Sequence, residues 1–591
     1  MKKYLSAVIC IGLIIALLTG CQPAVSTSAT TAGTSPSGST ATTAQGETTQ
    51  APLEPYLIDI YVEGNANSEE SFTADTAVGN VIMEKLGINI RYIPVVGDWN
   101  EKCALWLAGG DYPEMLQLNT QELIQSYIQA GAALAWDDYL ADMPNYTRYV
   151  GENTMNVWRA ISEDGKLYIS HYACGDPANI KEFVPNPYPC LRVRSDLLEE
   201  QGWPNIITSS EWLEFFKTAK ENHPKTDEGL NTIGLCMPLG EPWGINTMCT
   251  DATSSEVYRD QAIALGTDDY LAKDLYAEVD AQKELMKFFN SMYNEGLIDS
   301  EAFTDKYDQI AAKASSTQAL GIWYMIWATG TCNAQFKEDP EMAKYEYVHM
   351  PFMVSSQEGK SYTVAVDSTP YGYGQRIVTK NCKYPERVMA LWEFMASEEG
   401  QLLNGWGILG EDYTIDSDGK REITDDYYTK LFDEDPDNLI DRGIGVFDRA
   451  TFITTQSEFG IMRNGSGSLK IGTRGYSPRT IEFLEKTGGY KTEAGPWGYE
   501  ANSRYNGVKS YDLPLQAYAS LAATDPDYDA YQSIIEYTTS MVPKLIMAKT
   551  EAEFDAIYEE IIQKRKDLGL TEIVEVFNQR INEAKDKLNI G

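Results

Sequence analysis

An α/β layer fold is predicted by two features of the chain: β-rich runs alternate with helical stretches, and glycines punctuate the junctions. Tyr56-Leu-Ile-Asp-Ile-Tyr-Val62 reads as a strand that ends at Gly64-Asn65. Val78, Val81, Ile82 and Lys85 then recur at helical spacing up to Gly87. Ile88–Ile93 is a second strand, Glu101–Ala108 a helix closed by Gly109-Gly110, and Glu114–Leu118 a third strand. This order predicts parallel pairing through crossover helices. Ligands of such sheets lie at the carboxyl ends of the strands, which selects the loops Gly64–Ser68 and Asn119–Thr120. Asn65 and Asn119 are their candidate binding side chains.

Later helices carry stronger signals. Thr208-Ser-Ser-Glu211 is a capping box, and Trp212, Phe215, Phe216 and Ala219 follow on one face. Leu285, Phe288, Phe289, Met292 and Tyr293 form another apolar face, which stops at Gly296. Pro385 opens a helix bearing Val388, Leu391, Trp392 and Met395. A second capping box, Thr550-Glu-Ala-Glu553, precedes Phe554, Ile557, Tyr558, Ile561 and Ile562, with Gly569 as the stop.

The N-terminus reads as an export address. Lys2 and Lys3 precede an apolar run, Leu5–Leu18, too short for a membrane span. Leu18-Thr-Gly-Cys21 resembles a bacterial lipobox, which implies removal of residues 1–20 and lipidation of Cys21. Two acyl chains there would hold the protein at a membrane, where one chain anchors only marginally. Of residues 24–50, 14 of 27 are Ser or Thr, so this stretch cannot bury enough apolar surface to fold and reads as a tether.

Charge narrows the partners. The 591 residues hold 48 Lys+Arg against 87 Asp+Glu, a net charge of -39, which argues against binding nucleic acid or anionic lipid by electrostatics. Three histidines leave little for a His-based metal site or triad. After Cys10 and Cys21, the seven remaining cysteines are widely spaced without a C-x-x-C, so free buried thiols are expected. No H-E-x-x-H, G-x-S-x-G or P-loop occurs. With so many acids, a carboxylate pair found in the sequence is no sign of glycoside hydrolysis.

Several segments together resemble extracellular solute-binding proteins, the sugar-binding lipoproteins of ABC importers. They are Leu107–Met115 (LAGGDYPEM), Asp164–Tyr168 (DGKLY), Leu191–Leu197 (LRVRSDL), Tyr293–Asp299 (YNEGLID) and Tyr384–Arg387 (YPER). Ser397–Gly400 (SEEG) leading to Trp406–Thr414 (WGILGEDYT) completes the set, and the resemblance spans about residues 56–590. It is nearest the large oligosaccharide-binding branch of Gram-positive-type bacteria.

The resemblance implies a two-lobed fold of the periplasmic-binding-protein type II, with a sugar in a cleft that closes about a hinge. Lobe I would comprise 56–185 plus 372–425, and lobe II 186–371 plus 426–591, behind the tether at 21–55. The chain would cross between lobes near 180–190, 370–375 and 420–425. The implied function is delivery of an oligosaccharide to an ABC permease from the extracellular membrane face, by a lipid-anchored monomer without catalysis or cofactor. A tethered carbohydrate-active enzyme or a peptide receptor is the alternative.

A sugar site needs aromatic faces beside hydrogen-bonding carboxylates and amides. Gly240-Glu-Pro-Trp243 resembles a sugar-contacting segment of maltose-binding proteins, which nominates Glu241 and Trp243. Trp323 and Trp327 follow Gly321 as in a segment that supplies a stacking aromatic; four apart, they would share a face if helical. Trp406 and Asp412 lie in the matched glycine-rich turn, and Trp497 in the loop Gly495–Tyr499. Two departures stand out. Leu409 occupies a position that is often Glu. The segment matching the branch's calcium loop, Glu221–Gly229, has too few carboxylates, with Lys225 among them, so no metal is expected.

Overall fold

Alternating apolar residues along β1 (Tyr56–Gly64) bury Ile58, Ile60 and Val62, each contributing about 1.5–3 kcal/mol. The strand belongs to a computed structural model that describes residues 54–64, 71–72, 76–159, 162–170, 191–241, 243–248, 256–258, 261–266, 271–360, 362–366, 375–417, 421–424, 442–444, 447, 476–488, 508–512, 521 and 525–588. All of these lie in the unit Pro52–Gly591. Cys21 and the tether fall outside them, as do Asn65, Trp497, the expected crossing at 180–190 and all but residue 375 of that at 370–375; of the crossing at 420–425, residues 421–424 are described. Among the described residues no helix is long and apolar enough to cross a membrane.

The first sheet follows from local signals. The short strand β2 (Ser71–Phe72) precedes helix α1 (Ala77–Leu86), which starts where Thr76 accepts a bond from the Gly79 N–H and stops at Gly87 in the left-handed region. β3 (Ile88–Val96) pairs parallel with β1 over its whole length. Helix α2 (Trp99–Gly109), capped by Asp98, leads into β4 (Met115–Leu118), parallel to β1 on its other side. Helix α3 (Gln121–Gln129) begins at the Thr120 cap. Asp98, Glu63 and Asn119 therefore lie at the carboxyl ends of the three parallel strands.

The second sheet uses β5 (Leu191–Arg194) and β6 (Ile233–Cys236). Between them runs the helix Ser209–Asn222, whose Thr208–Glu211 capping box is complete and whose Trp212, Phe215, Phe216 and Ala219 are buried. A three-stranded antiparallel sheet follows, made of β7 (Glu256–Tyr258), β8 (Ile263–Gly266) and β9 (Ala272–Asp274). The helix Asp280–Asn294, β10 (Ala319–Trp323) and β11 (Tyr347–Met350) complete this part in the strand order β11-β5-β10-β6. β12 (Tyr362–Val366) pairs with Val508–Asp512. β13 (Gln375–Val378) then returns to the first sheet, antiparallel to β4.

Two separate hydrophobic cores result. One draws on residues between Tyr56 and Ile169 and between Ile377 and Leu403; the other on residues between Leu191 and Val354 and between Phe483 and Ile561. Ile444 and Phe447 correct the expected boundary at 425: both pack in the first core. The reason is a return of the chain. Arg442 pairs with Asp412, and Gly443, at φ +83°, lies so close to Thr76 that a Cβ would sit 2.3 Å from its Oγ1.

A third cluster joins β8 and β9 to the helices Tyr528–Met547 and Leu570–Leu588. Beside it, the guanidinium of Arg565 is fully buried, donating to the carbonyls of Gln261 and Ala262 and to Asp274 Oδ1 at 2.8 Å. Asp274→Ala should cost about 3–5 kcal/mol, because it strands a buried cation. A denaturant midpoint lowered at unchanged slope is the expected reading. The helix Glu551–Asp567 departs slightly from expectation. Thr550 caps it, but Glu553 reaches back to the Lys549 N–H rather than to Thr550.

Candidate functional site

A directional hydrogen-bond chain ends at the edge of the first sheet. Arg376, fully buried on β13, donates through Nη1 to Gln117 Oε1 at 2.8 Å. Gln117 Nε2 donates to Asn119 Oδ1 at 2.6 Å, and Asn119 Nδ2 to Glu63 Oε2 at 2.6 Å. Desolvation by neighbouring protein raises the pKa of the Glu63 carboxyl although the residue is exposed; the Asn119 amide works against this, and the charges of Glu241 and Asp98 add to it. Glu63 lies at the end of β1 in the first sheet, and Glu241 follows β6 in the second.

The second sheet contributes a turn of aromatic and acidic residues. Gly244 makes the turn possible, since a Cβ there would lie 1.8 Å from the Pro238 carbonyl oxygen. Within it, Glu241 Oε1 accepts from the Tyr307 N–H at 2.8 Å, and half-buried Trp243 rests on a small core that includes Ile310 and Met325. Tyr324 stands beside Trp243, ring centroids 6.1 Å apart, in the left-handed region at φ +65°. A bulky residue adopts that conformation only where its surroundings enforce it.

Three nominated residues have other duties. Trp323 is fully buried, edge-on to Phe289 at 5.1 Å and Phe352 at 4.9 Å, with Nε1 donating to the Thr247 carbonyl. It closes a strand while Trp327 lies in the turn Ile326–Thr329, so the two share no helical face; the Trp327 side chain is outside the described set. Trp406 is buried against Tyr413 at 5.5 Å. Asp412, also buried, accepts from the Ile408 N–H and from Arg442 at 2.7 Å each, so it braces the turn. Asn119, Glu241 and Trp243 remain candidates. Glu63, Gln117, Arg376 and Tyr324 join them without having been nominated.

The loop Glu221–Gly229 is closed by protein groups. Asp227 accepts from the Tyr345 hydroxyl at 2.7 Å, His223 pairs with Glu200, and Thr226 exchanges bonds with Leu230. No group of three or more potential metal ligands occurs among the described residues. Cys103, Cys236, Cys332 and Cys382 are free thiols; burial pushes Cys103 and Cys332 up to about 12 and Cys382 to about 11, which keeps them unreactive. A cavity of about 250 Å³ lined by Ile128, Tyr139, Lys166 and Lys380 lies past the carboxyl ends of α3 and β13, the opposite pole of the sheet from Asn119.

The fold defined by these sheets is that of two-lobed solute-binding proteins, seen across nearly the whole chain. It covers 90% of this chain and 99% of an HMO-binding, ABC-transporter-associated solute-binding protein of Bifidobacterium longum infantis, at a TM-score of 0.55 and 14% identity. The Streptococcus pneumoniae substrate-binding protein FusA in complex with kestose gives 0.53 at 16% identity, over 90% of this chain and 100% of that one. The alginate-binding protein AlgQ2 without calcium ion gives 0.53 at 15% identity, over 90% and 98%.

By sequence, the chain is 23% identical over 357 residues to Lipoprotein LipO of Bacillus subtilis, covering 58% of this chain and 63% of that one. It is 20% identical over 332 residues to the fructooligosaccharide ABC transporter substrate-binding protein FusA of Streptococcus pneumoniae, covering 56% and 59%. The matches thus span about six-tenths of each relative's length. No protein-family model matches the chain.

Proposed function

We propose that this chain is a lipid-anchored oligosaccharide-binding protein that passes its ligand to an ABC permease at the outer face of a bacterial membrane. The observation that carries the reading is the likeness of the whole fold to solute-binding proteins, several of which bind oligosaccharides by name. The chemistry of the site supports it. Glu63 and Glu241 accept hydroxyl hydrogen bonds, Asn119 orients Glu63, and Trp243 with Tyr324 offers aromatic faces to the C–H surface of a sugar ring. A thermal-shift screen of the mature chain against mono- and oligosaccharides tests the reading. A ligand at a hundred times its Kd stabilises by about 2.7 kcal/mol, and a panel with no shift would speak against sugar binding.

Lipid anchoring at Cys21 rests on the lipobox and the tether, and one sequence relative is itself named a lipoprotein. Cys21→Ser is expected to move the protein from the membrane fraction to the medium; retention and processing of the variant would refute the anchor. One observation favours a second reading. The pKa of Glu63 is raised, and a carboxyl of raised pKa is also what glycoside hydrolases use as their acid. Turnover of the bound sugar separates the two.

A further inference from the structure

We propose that Tyr528 and Glu122 form a latch between the two bodies of the chain, and that this contact sets how long a bound sugar is retained. The second half rests on the sugar-binding reading; the latch itself stands without it.

The two residues belong to different cores. Glu122 sits in the first turn of α3, whose Ile124 and Tyr127 are buried in the first core. Tyr528 opens the helix Tyr528–Met547 and packs against the third cluster. That helix buries Tyr531 and Ile534 in the third cluster, then Met541, Val542, Leu545 and Ile546 in the second core, so its first turn moves with the second body. Between these bodies, the Tyr528 hydroxyl donates to Glu122 Oε1 at 2.9 Å.

Both ends of the contact are held in place. Arg580, on the helix Leu570–Leu588, grips Asp525 with bonds of 2.7 and 3.0 Å, and the Asp525 carbonyl accepts from the Tyr528 N–H. On the other side Thr120 accepts from the Leu123 N–H and so fixes the turn that carries Glu122. Partial burial and the bond to Glu122 push the Tyr528 hydroxyl up to about 12, so it stays a donor throughout the physiological range. A hydrogen bond made in one arrangement of two bodies and broken in another biases the equilibrium between them by its own free energy. Position links this bias to the ligand: Glu122 lies three residues beyond Asn119, the candidate binding residue at the end of β4. A ligand enclosed between the bodies leaves when they part.

The test is a spin-label distance measurement on the ligand-free mature chain, with nitroxides carried on p-acetylphenylalanine in place of the exposed Glu101 and Glu559. Tyr528→Phe and Glu122→Ala are each expected to raise the ratio of separated to joined species about three- to tenfold, at an unchanged unfolding midpoint. Glu122→Gln keeps an accepting oxygen and should stay nearer native. The Tyr528→Phe/Glu122→Ala double variant should add little to either single change, since both remove one shared bond. Tyr528→Phe should also release the tightest binder of a neutral panel (kestose, maltotetraose, xylotetraose and mannotetraose) faster by the same factor in stopped flow. Distances that no variant moves, with or without a lowered midpoint, overturn the latch. Moved distances with unchanged release overturn its part in retention. A native chain that binds none of the panel sinks the sugar-binding reading, and the distances still decide the latch.

Discussion

Trp243→Ala is expected to weaken sugar binding about 30-fold, or about 2 kcal/mol, while leaving the unfolding midpoint near that of the native chain. The indole is half-buried on a small core and is paired with Tyr324 at the turn that also carries Glu241. Its outer face is the surface that a sugar ring would cover, and truncation removes that contact. Calorimetry against the best neutral ligand, together with a denaturant curve taken without sugar, reads both quantities. Retained affinity with a sharply lowered midpoint would make Trp243 a packing residue.

The opposite pattern is expected for Trp323→Ala. This side chain is fully enclosed by Phe289 and Phe352, and its N–H is satisfied by Thr247, so its removal leaves a cavity in the larger core. The cost should be about 3–5 kcal/mol of stability. Any sugar affinity measured on the folded fraction should stay within about threefold of native, well under 1 kcal/mol. A Trp323→Ala chain of native stability that no longer binds would return the residue to the cleft.

The contrast between these two tryptophans shows what the sequence could convey. Helix starts were legible because a cap and its helix lie within four residues: Thr208 and Thr550 both act as the caps the sequence marks. The parallel order of β1, β3 and β4 was legible from alternation, and with it the strand ends where Asn119 lies. Trp323 misled because its partners Phe289 and Phe352 come from a helix and a loop distant in sequence. Asp412 misled for the same reason, since Arg442 claims it from 30 residues away.

Other parts of the site had weaker signals. Glu63 immediately precedes the Gly64-Asn65 loop that the strand argument selected, so a wider window would have included it. Arg376 offered no local cue, because β13 reaches β4 only through a return from the second sheet. The left-handed backbone of Tyr324 is imposed by packing and has no sequence signature for a non-glycine residue. The boundary at 425 failed because Arg442, Gly443, Ile444 and Phe447 fold back on the first core after a long intervening stretch.

The central claim is that the chain binds an oligosaccharide and leaves it intact. Titration calorimetry of the mature chain with its best neutral oligosaccharide, followed by chromatography of that sugar after prolonged incubation, tests both halves at once. The account predicts one ligand bound per chain and quantitative recovery of the unaltered sugar. Accumulation of shorter sugars, or absence of binding heat across the whole neutral panel, would contradict it.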